Sequence, residues 1–224
     1  MLAIVVLAIK IYKFNKTTYH KATGNSFYYT FHNLGARGEY EIFKKLSYLE
    51  KSGCKFLFNL YLPKENGETT EADVVLIAHK GIVVFESKNY SGWIFGDEAV
   101  KIWTQTLPQG RGKSEKNRFL NPIMQNKLHI KALKAIVGNE YPIYSIIVFS
   151  ERCTLKKITV RSGDVKVVNR QNAAEAVGTL IENNLRVMDN GQIGDIYNLL
   201  YPYSQVSEAV KAKHIENIKK GRKS

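Results

Sequence analysis

The sequence predicts an α/β fold, a central mixed β-sheet flanked by helices, with a helical extension at the carboxyl end. Three observations carry this reading. Residues 70–88 hold two apolar runs around His79-Lys80-Gly81, rich in Val, Ile and Phe, which is the pattern of a β-hairpin buried on both faces. Two stretches with apolar residues at helical spacing, 35–52 and 121–137, lie on either side of it in the chain. Ile143–Phe149 is continuously apolar and suits a strand inside the same sheet.

Residues 1–9 are apolar throughout and run into Lys10, Lys13 and Lys16. The run is shorter than the roughly 20 residues that a membrane span needs, and a secretory leader carries its basic residues first. Lysines on that flank stay on the cytoplasmic side. The expectation for residues 1–16 is membrane association, as a peripheral attachment or the remnant of an anchor, with a segment tucked against the domain as the alternative. Residues 17–34 read as an irregular connector. A helix over 35–52 then shows the stripe Ile42, Phe43, Leu46 and Leu49 and ends at Gly53. Glu39 lies one turn before Ile42 and Phe43, so it faces the sheet. The helix dipole would favour a carboxylate there too, but it does not select that face. Residues 56–62 form a first strand, closed by Pro63 and a polar turn at 64–67.

The hairpin comes next. With Lys80-Gly81 as its loop, the ladder sets Asp73 opposite Lys88 and Val75 opposite Glu86. Alternation sends Asp73, Glu86 and Lys88 to one side, while Val74, Leu76, Val83 and Phe85 line the other face. Carboxylates at the end of a buried sheet need a cationic partner, a raised pKa or a bound metal. Mg²⁺ takes oxygen ligands and retains waters, so Asp73, Glu86 and a backbone carbonyl suffice to hold it. Lys88 would then orient an attacking water or stabilise charge on a phosphoryl group, the arrangement of metal-assisted phosphodiester hydrolysis. A structural salt bridge between Lys88 and one carboxylate fits the same spacing.

Residues 92–96 and 99–106 suggest a small hairpin joined at Asp97-Glu98, with Trp93 and Trp103 as packing residues and base stacking as the alternative. Residues 108–117 read as a mobile basic loop in which Arg111, Lys113 and Lys116 could track a phosphate backbone, or simply be solvated. Asn121-Pro122 starts a helix as N-cap and first helical residue, and Gly138 ends it. Its expected inward stripe is Gln125, Leu128, Ala132, Ala135 and Ile136. Gln125 would contact the attacking water or the phosphate, or satisfy a buried backbone group. His129, one turn on, is read as a supporting residue at most. Strands follow at 143–149 and 165–168, then helices over 173–185, 193–200 and 206–218, with Pro202 between the last two. The final helix and tail are basic through Lys211, Lys213, Lys219, Lys220, Arg222 and Lys223.

Several blocks together resemble a known family. Gly35-Ala36-Arg37-Gly38-Glu39, Thr70-Glu71-Ala72-Asp73, the run from Gly81 through Glu86-Ser87-Lys88 to Gly92, Trp103, and Asn121-Pro122-Ile123-Met124-Gln125 are similar to the nuclease-related domain (NERD) family of the PD-(D/E)XK nuclease superfamily. Ala72 stands where the superfamily's name has proline, a position that varies among related domains. The resemblance spans about residues 34–150 and implies a restriction-endonuclease-like fold, within a nuclease-related domain taken as 35–170 and a helical extension over 171–224. It implies Asp73 and Glu86 as metal ligands, Lys88 as the catalytic lysine, Glu39 as an auxiliary acid and Gln125 as a supporting polar group. The implied activity is Mg²⁺-dependent hydrolysis of nucleic acid, DNA before RNA, with Mn²⁺ as substitute; a non-catalytic nucleic-acid-binding or membrane-associated module that keeps the fold without turnover is the alternative.

Composition agrees with one catalytic domain plus an appendage: 224 residues, 44% hydrophobic. A net charge of +13 favours a polyanionic partner, nucleic acid or an anionic membrane surface. The two cysteines, Cys54 and Cys153, are too few for a disulfide framework and read as reduced thiols of a cytoplasmic protein. The five histidines are scattered without zinc-ligand spacing, and no Walker loop or dinucleotide fingerprint occurs.

Overall fold

The computed structural model describes residues 1–110, 112–181 and 185–221, so Arg111, Arg222 and Lys223 lie outside the described residues. Four helices open the chain: α1 (Leu2–Asn15), α2 (Thr18–Thr23), α3 (Phe27–His32) and α4 (Leu34–Leu46), the last continuing as a 3₁₀ turn over Ser47–Ser52 to Gly53. The expected irregular connector is therefore two short helices. Thr17 and Ser26 cap them by accepting the backbone N–H of His20 and Tyr29. Their aromatic side chains also belong to the core, since Phe14, Tyr19, Phe27, Phe31 and Tyr40 form one edge-on cluster. Most of α1 is exposed, including Leu2, Ile4 and Ile9. Among the described residues no helix is long and apolar enough to cross a membrane.

The strands are β1 (Lys55–Pro63), β2 (Thr69–Ala78), β3 (Gly81–Lys88), β4 (Gly92–Asp97), β5 (Ile102–Gly110), β6 (Lys113–Leu120), β7 (Ile143–Phe149), β8 (Cys153–Thr159) and β9 (Val165–Asn169). Helix α5 (Pro122–Val137) precedes β7, and α6 (Ala173–Ile181), α7 (Asn190–Leu200) and α8 (Glu208–Gly221) end the chain. The central sheet has the order β1-β2-β3-β7-β9, antiparallel across its first three strands and parallel across its last three. Helices α4 and α6 cover the face bearing Val74, Leu76, Val83 and Phe85. Helices α5 and α7 cover the face bearing Val75, Ile77, Ile82 and Val84. The hairpin is thus buried on both sides, as its composition requires.

Its register differs from the expected one by two residues. Val75 pairs with Val84 and Ala78 with Gly81, so the loop is His79-Lys80. The reason is tertiary. The His79 ring bonds the carbonyls of Met188 and Ser52, and its own carbonyl accepts the N–H groups of Val187 and Met188, which holds His79 out of the ladder. Gly81 (φ +137°) packs against the Pro142 carbonyl, where a Cβ would lie 2.6 Å from that oxygen. A shift of two leaves the side-chain faces unchanged.

Two further expectations are corrected. The inward face of α5 is Ile123, Asn126, Ala132, Leu133 and Val137, with Ile136 packed beside it, so Ala132 and Ile136 lie as expected, whereas Leu128 is exposed and Ala135 faces out. The segment read as a mobile basic loop is the outer part of a β-ribbon formed by β5 and β6, edge of a second sheet ordered β6-β5-β4-β8. That sheet packs Ile94 and Trp103 against Ile147 and Phe149 at the end of the central sheet. The Trp103 and Phe149 rings stack with centroids 6.3 Å apart. Trp103 packs as expected; Trp93 does not, being 40% exposed.

At the other end, α8 is seated rather than merely solvated. Its buried His214 bonds Thr69 through Nδ1 (3.0 Å to Oγ1) and lies edge-on to Tyr61.

Candidate active site

The acidic pair sits where β2 and β3 run side by side. Extending the β2–β3 ladder one step past Val74–Phe85 brings Asp73 level with Glu86. The Ser87 N–H donates to Asp73 Oδ2 at 2.7 Å, which ties the first carboxylate to the strand carrying the second. Lys88 Nζ donates to Glu86 Oε1 at 2.5 Å. The convergence of Asp73, Glu86 and Lys88 expected from alternation is therefore present, with Asp73 facing Glu86 rather than Lys88.

Glu86 is 5% exposed and both of its oxygens are engaged. His129 Nε2 lies 3.1 Å from Oε2, and His129 Nδ1 lies 2.6 Å from Thr70 Oγ1. Burial pushes the Glu86 carboxyl up, but Lys88 and His129 outweigh it and hold it at about 2. Asp73 is raised well above the carboxylate range by burial and by the charges of Glu86 and Glu39, which Lys88 and the Ser87 N–H only partly offset. For Lys88, burial would lower the ammonium, and Glu86 and Asp73 reverse that and raise it. With both carboxylates ionised the site would carry more negative charge than its one lysine neutralises, which is why the Asp73 carboxyl is raised.

That surplus fits a divalent cation. The donors are hard carboxylate oxygens, and a bound dication would relieve the repulsion that raises Asp73. Among the described residues no group of three or more His, Cys, Asp or Glu that could hold a metal ion occurs; the candidate donors are the two carboxylates that the sequence suggests, Asp73 and Glu86.

Glu39 reaches the site from α4. It is 8% exposed and accepts from the Tyr19 hydroxyl at 3.3 Å. Burial raises its carboxyl to about 7, against the pull of the Asn59 and Tyr19 hydrogen bonds and with the help of Glu71. Gly38 lets α4 approach this closely: a Cβ there would lie on Ser87 Oγ. Asn59 sits in β1 at φ +50°, the one positive φ among described non-glycine residues, opposite Asp73 at a gap in the β1–β2 ladder. Glu39 and Asn59 also line a polar cavity of about 530 Å³, with Tyr61, Glu71 and Lys211. Asp73, Glu86 and Lys88 do not line it, and Glu39 connects the two regions through its charge on Asp73.

The remaining expected residues fall differently. Gln125 is half-buried, one turn before His129 on α5. The buried polar residue of that helix is Asn126, whose amide donates to the Val84 carbonyl and Ser145 Oγ, each at 2.8 Å. Lys113 and Lys116 are exposed on β6; Lys116 pairs with Thr106, next to Gln105, whose amide donates to the Ser91 carbonyl. Lys113 is farther out, by the tip of the ribbon. Sequence reasoning did not find Asn59, Tyr19, Thr70 or Asn126. Asn59 alone left a signal, as a polar, turn-favouring residue inside an apolar strand.

Residues 34–150, more than half of the chain, match the nuclease-related domain. The chain is also 30% identical over 182 residues to an uncharacterized protein of Bacillus anthracis, covering 81% of this chain and 82% of that protein. No solved structure matches it. Asp73, Glu86, Lys88 and His129 all fall inside the matched stretch, and the chain belongs to the nuclease-related domain family.

Proposed function

We propose that this protein is a Mg²⁺-dependent nuclease that hydrolyses nucleic-acid phosphodiester bonds, with DNA as the first substrate ahead of RNA. The observation that carries the reading is the pairing of Asp73 and Glu86 across adjacent strands, with Lys88 bonded to the same carboxylate. Mg²⁺, or Mn²⁺ in its place, supplies Lewis-acid stabilisation of the charge that builds on the phosphoryl oxygens. Asp73 and Glu86 hold it, while His129 and Thr70 fix the Glu86 carboxylate in place. Lys88 turns its N–H donors toward the phosphoryl group and the attacking water. Glu39 sets the field on Asp73, and Gln125 is assigned to the phosphate. Lys113, Lys116 and Arg111 are assigned to the backbone of the substrate.

Purified protein incubated with supercoiled plasmid and single-stranded oligonucleotides, in Mg²⁺, Mn²⁺ or EDTA, tests this directly. Expected is metal-dependent cutting that falls about 10²- to 10³-fold in Lys88→Ala, the usual cost of one transition-state donor. Cutting that Lys88→Ala leaves intact would overturn the assignment of the site. A second reading, a binding module without turnover, is favoured by one observation: Lys88, Glu86, His129 and Thr70 are joined in a continuous run by an ion pair and two hydrogen bonds. Binding with no cutting under any metal would select it.

The exposed apolar side chains of α1 beside Lys10 and Lys13 support a further proposal, attachment to the cytoplasmic surface of a membrane. Fractionating cells that express the chain with and without residues 1–14 tests it.

A further inference from the structure

The second sheet has one face on the core and one largely in solvent, where Thr106 is buried between its neighbours, and the charged and aromatic composition of that outer face is not explained by packing. Strand pairing defines two rows across it. The first is Lys116, Thr106, Trp93 and Thr154; the second is Arg118, Thr104, Phe95 and Lys157. Directly paired residues point to the same side of a sheet, so each row shares one face. Neither row contains an acid. A bulge between Ile94 and Phe95 adds Lys156, whose ammonium lies 5.3 Å over the Trp93 ring. Lys116, Arg118, Lys156 and Lys157 are all exposed, and Trp93 stands among them 40% exposed. The opposite face takes Trp103, Phe119 and Leu155 inward, so the exposed indole is not surplus core.

We propose that this outer face docks single-stranded nucleic acid, with a base stacked on Trp93 and backbone phosphates held by Lys116, Arg118, Lys156 and Lys157. The occupant follows from charge and shape. Four cations without an intervening acid complement a polyanion. An indole on a sheet surface can stack only on a base free of its duplex, because paired bases hide their faces in the helix stack. Strands lie about 4.8 Å apart, so Lys116 on β6 and Lys157 on β8 stand roughly 15 Å apart with Trp93 between them. A strand crossing the sheet meets cation, ring and cation in turn. Lys156 then exchanges its contact with the ring for a phosphate. This inference deepens the nuclease reading by naming the form of substrate strand, and it rests on that reading only for its biological purpose, since binding here needs no cleavage.

The chain has two tryptophans, and the structure exposes one and buries the other. Titrating the full-length protein with oligo(dT) in EDTA, while following intrinsic fluorescence, therefore reports on Trp93 against a constant Trp103 background. Expected is quenching on binding, absent in Trp93→Phe, whose remaining blue emission from Trp103 confirms the fold. Affinity should fall at least fivefold in Trp93→Ala, as loss of one stacked base requires, and be largely restored in Trp93→Phe. The slope of log affinity on log salt should be about −3 for four single-strand phosphate contacts and drop by about 1.4 in Lys116→Ala/Arg118→Ala. Binding without quenching, or equal affinity in Trp93→Ala, overturns the proposal even if the plasmid is cut. A response to anionic phosphatidylserine vesicles but not to oligo(dT) also overturns it, in favour of a lipid surface. Quenching without any cutting supports it while removing the nuclease reading.

Discussion

Replacing Glu39 with glutamine should stabilise the protein at neutral pH and do nothing in acid. Glu39 is nearly inaccessible, and burial lifts its carboxyl from an ordinary 4.5 to about 7. A raised carboxyl means that the folded state binds its proton more tightly than the unfolded state. Between these two values the folded protein holds more protons, so stability declines as pH rises, and above about 7 the loss is complete. At about 1.4 kcal/mol per pH unit, the displacement corresponds to about 3 kcal/mol. Glutamine is isosteric, can still accept from Tyr19 and never ionises. It also removes one of the charges that raise Asp73, which acts in the same direction. Urea denaturation of wild type and Glu39→Gln at pH 4 and pH 8 measures the effect as a difference, cancelling all groups common to both. The variant should match wild type at pH 4 and exceed it by about 2–3 kcal/mol at pH 8. A difference that does not change with pH would show that Glu39 ionises as freely as in solvent, and the argument for its inward role would fail.

Two other substitutions probe the same region. His129→Ala removes the partner of both Glu86 Oε2 and Thr70 Oγ1; a cost of about 1.5–3 kcal/mol is expected by chemical denaturation, the usual worth of a hydrogen bond to a charged group. Asn59→Gly should be milder than Asn59→Val, because glycine accepts φ +50° and a β-branched residue does not; thermal unfolding should separate them by about 1–2 kcal/mol or more.

Much of the architecture could be read from the chain because apolar patterning fixes faces more firmly than it fixes positions. The hairpin's parity survived a wrong register, since a shift of two residues moves no side chain across the sheet. What placed the loop at His79 was its bonds to Ser52 and Met188, and no local pattern encodes contacts with residues 27 and 109 positions away. On α4 the stripe of Ile42, Phe43 and Leu46 turned Glu39 inward correctly. On α5 the same reasoning failed. Its buried face includes Asn126, a polar residue satisfied by Val84 and Ser145, so a search for apolar residues alone rotated the helix toward Leu128. The second sheet was only half visible because β6 reads Lys-Ser-Glu-Lys-Asn-Arg-Phe-Leu, an edge strand with only Phe119 turned to the core. Its charges protect an open edge rather than mark a loop. The helices α2 and α3 were hidden by Thr and aromatic residues of modest helix propensity, although the caps Thr17 and Ser26 were there to be seen.

The placement of His214 has a bearing on how this protein tolerates change at its far end. By gripping Thr69 and resting on Tyr61, α8 acts as a peg at the root of β2, four residues from Asp73. The same helix carries Lys211, Lys213, Lys219 and Lys220. A polyanion drawn to them would pull on the footing of the strand that carries Asp73, and a clip that releases the helix would free the same footing. Tags and truncations at the carboxyl end would thus reach the acidic pair from a distance.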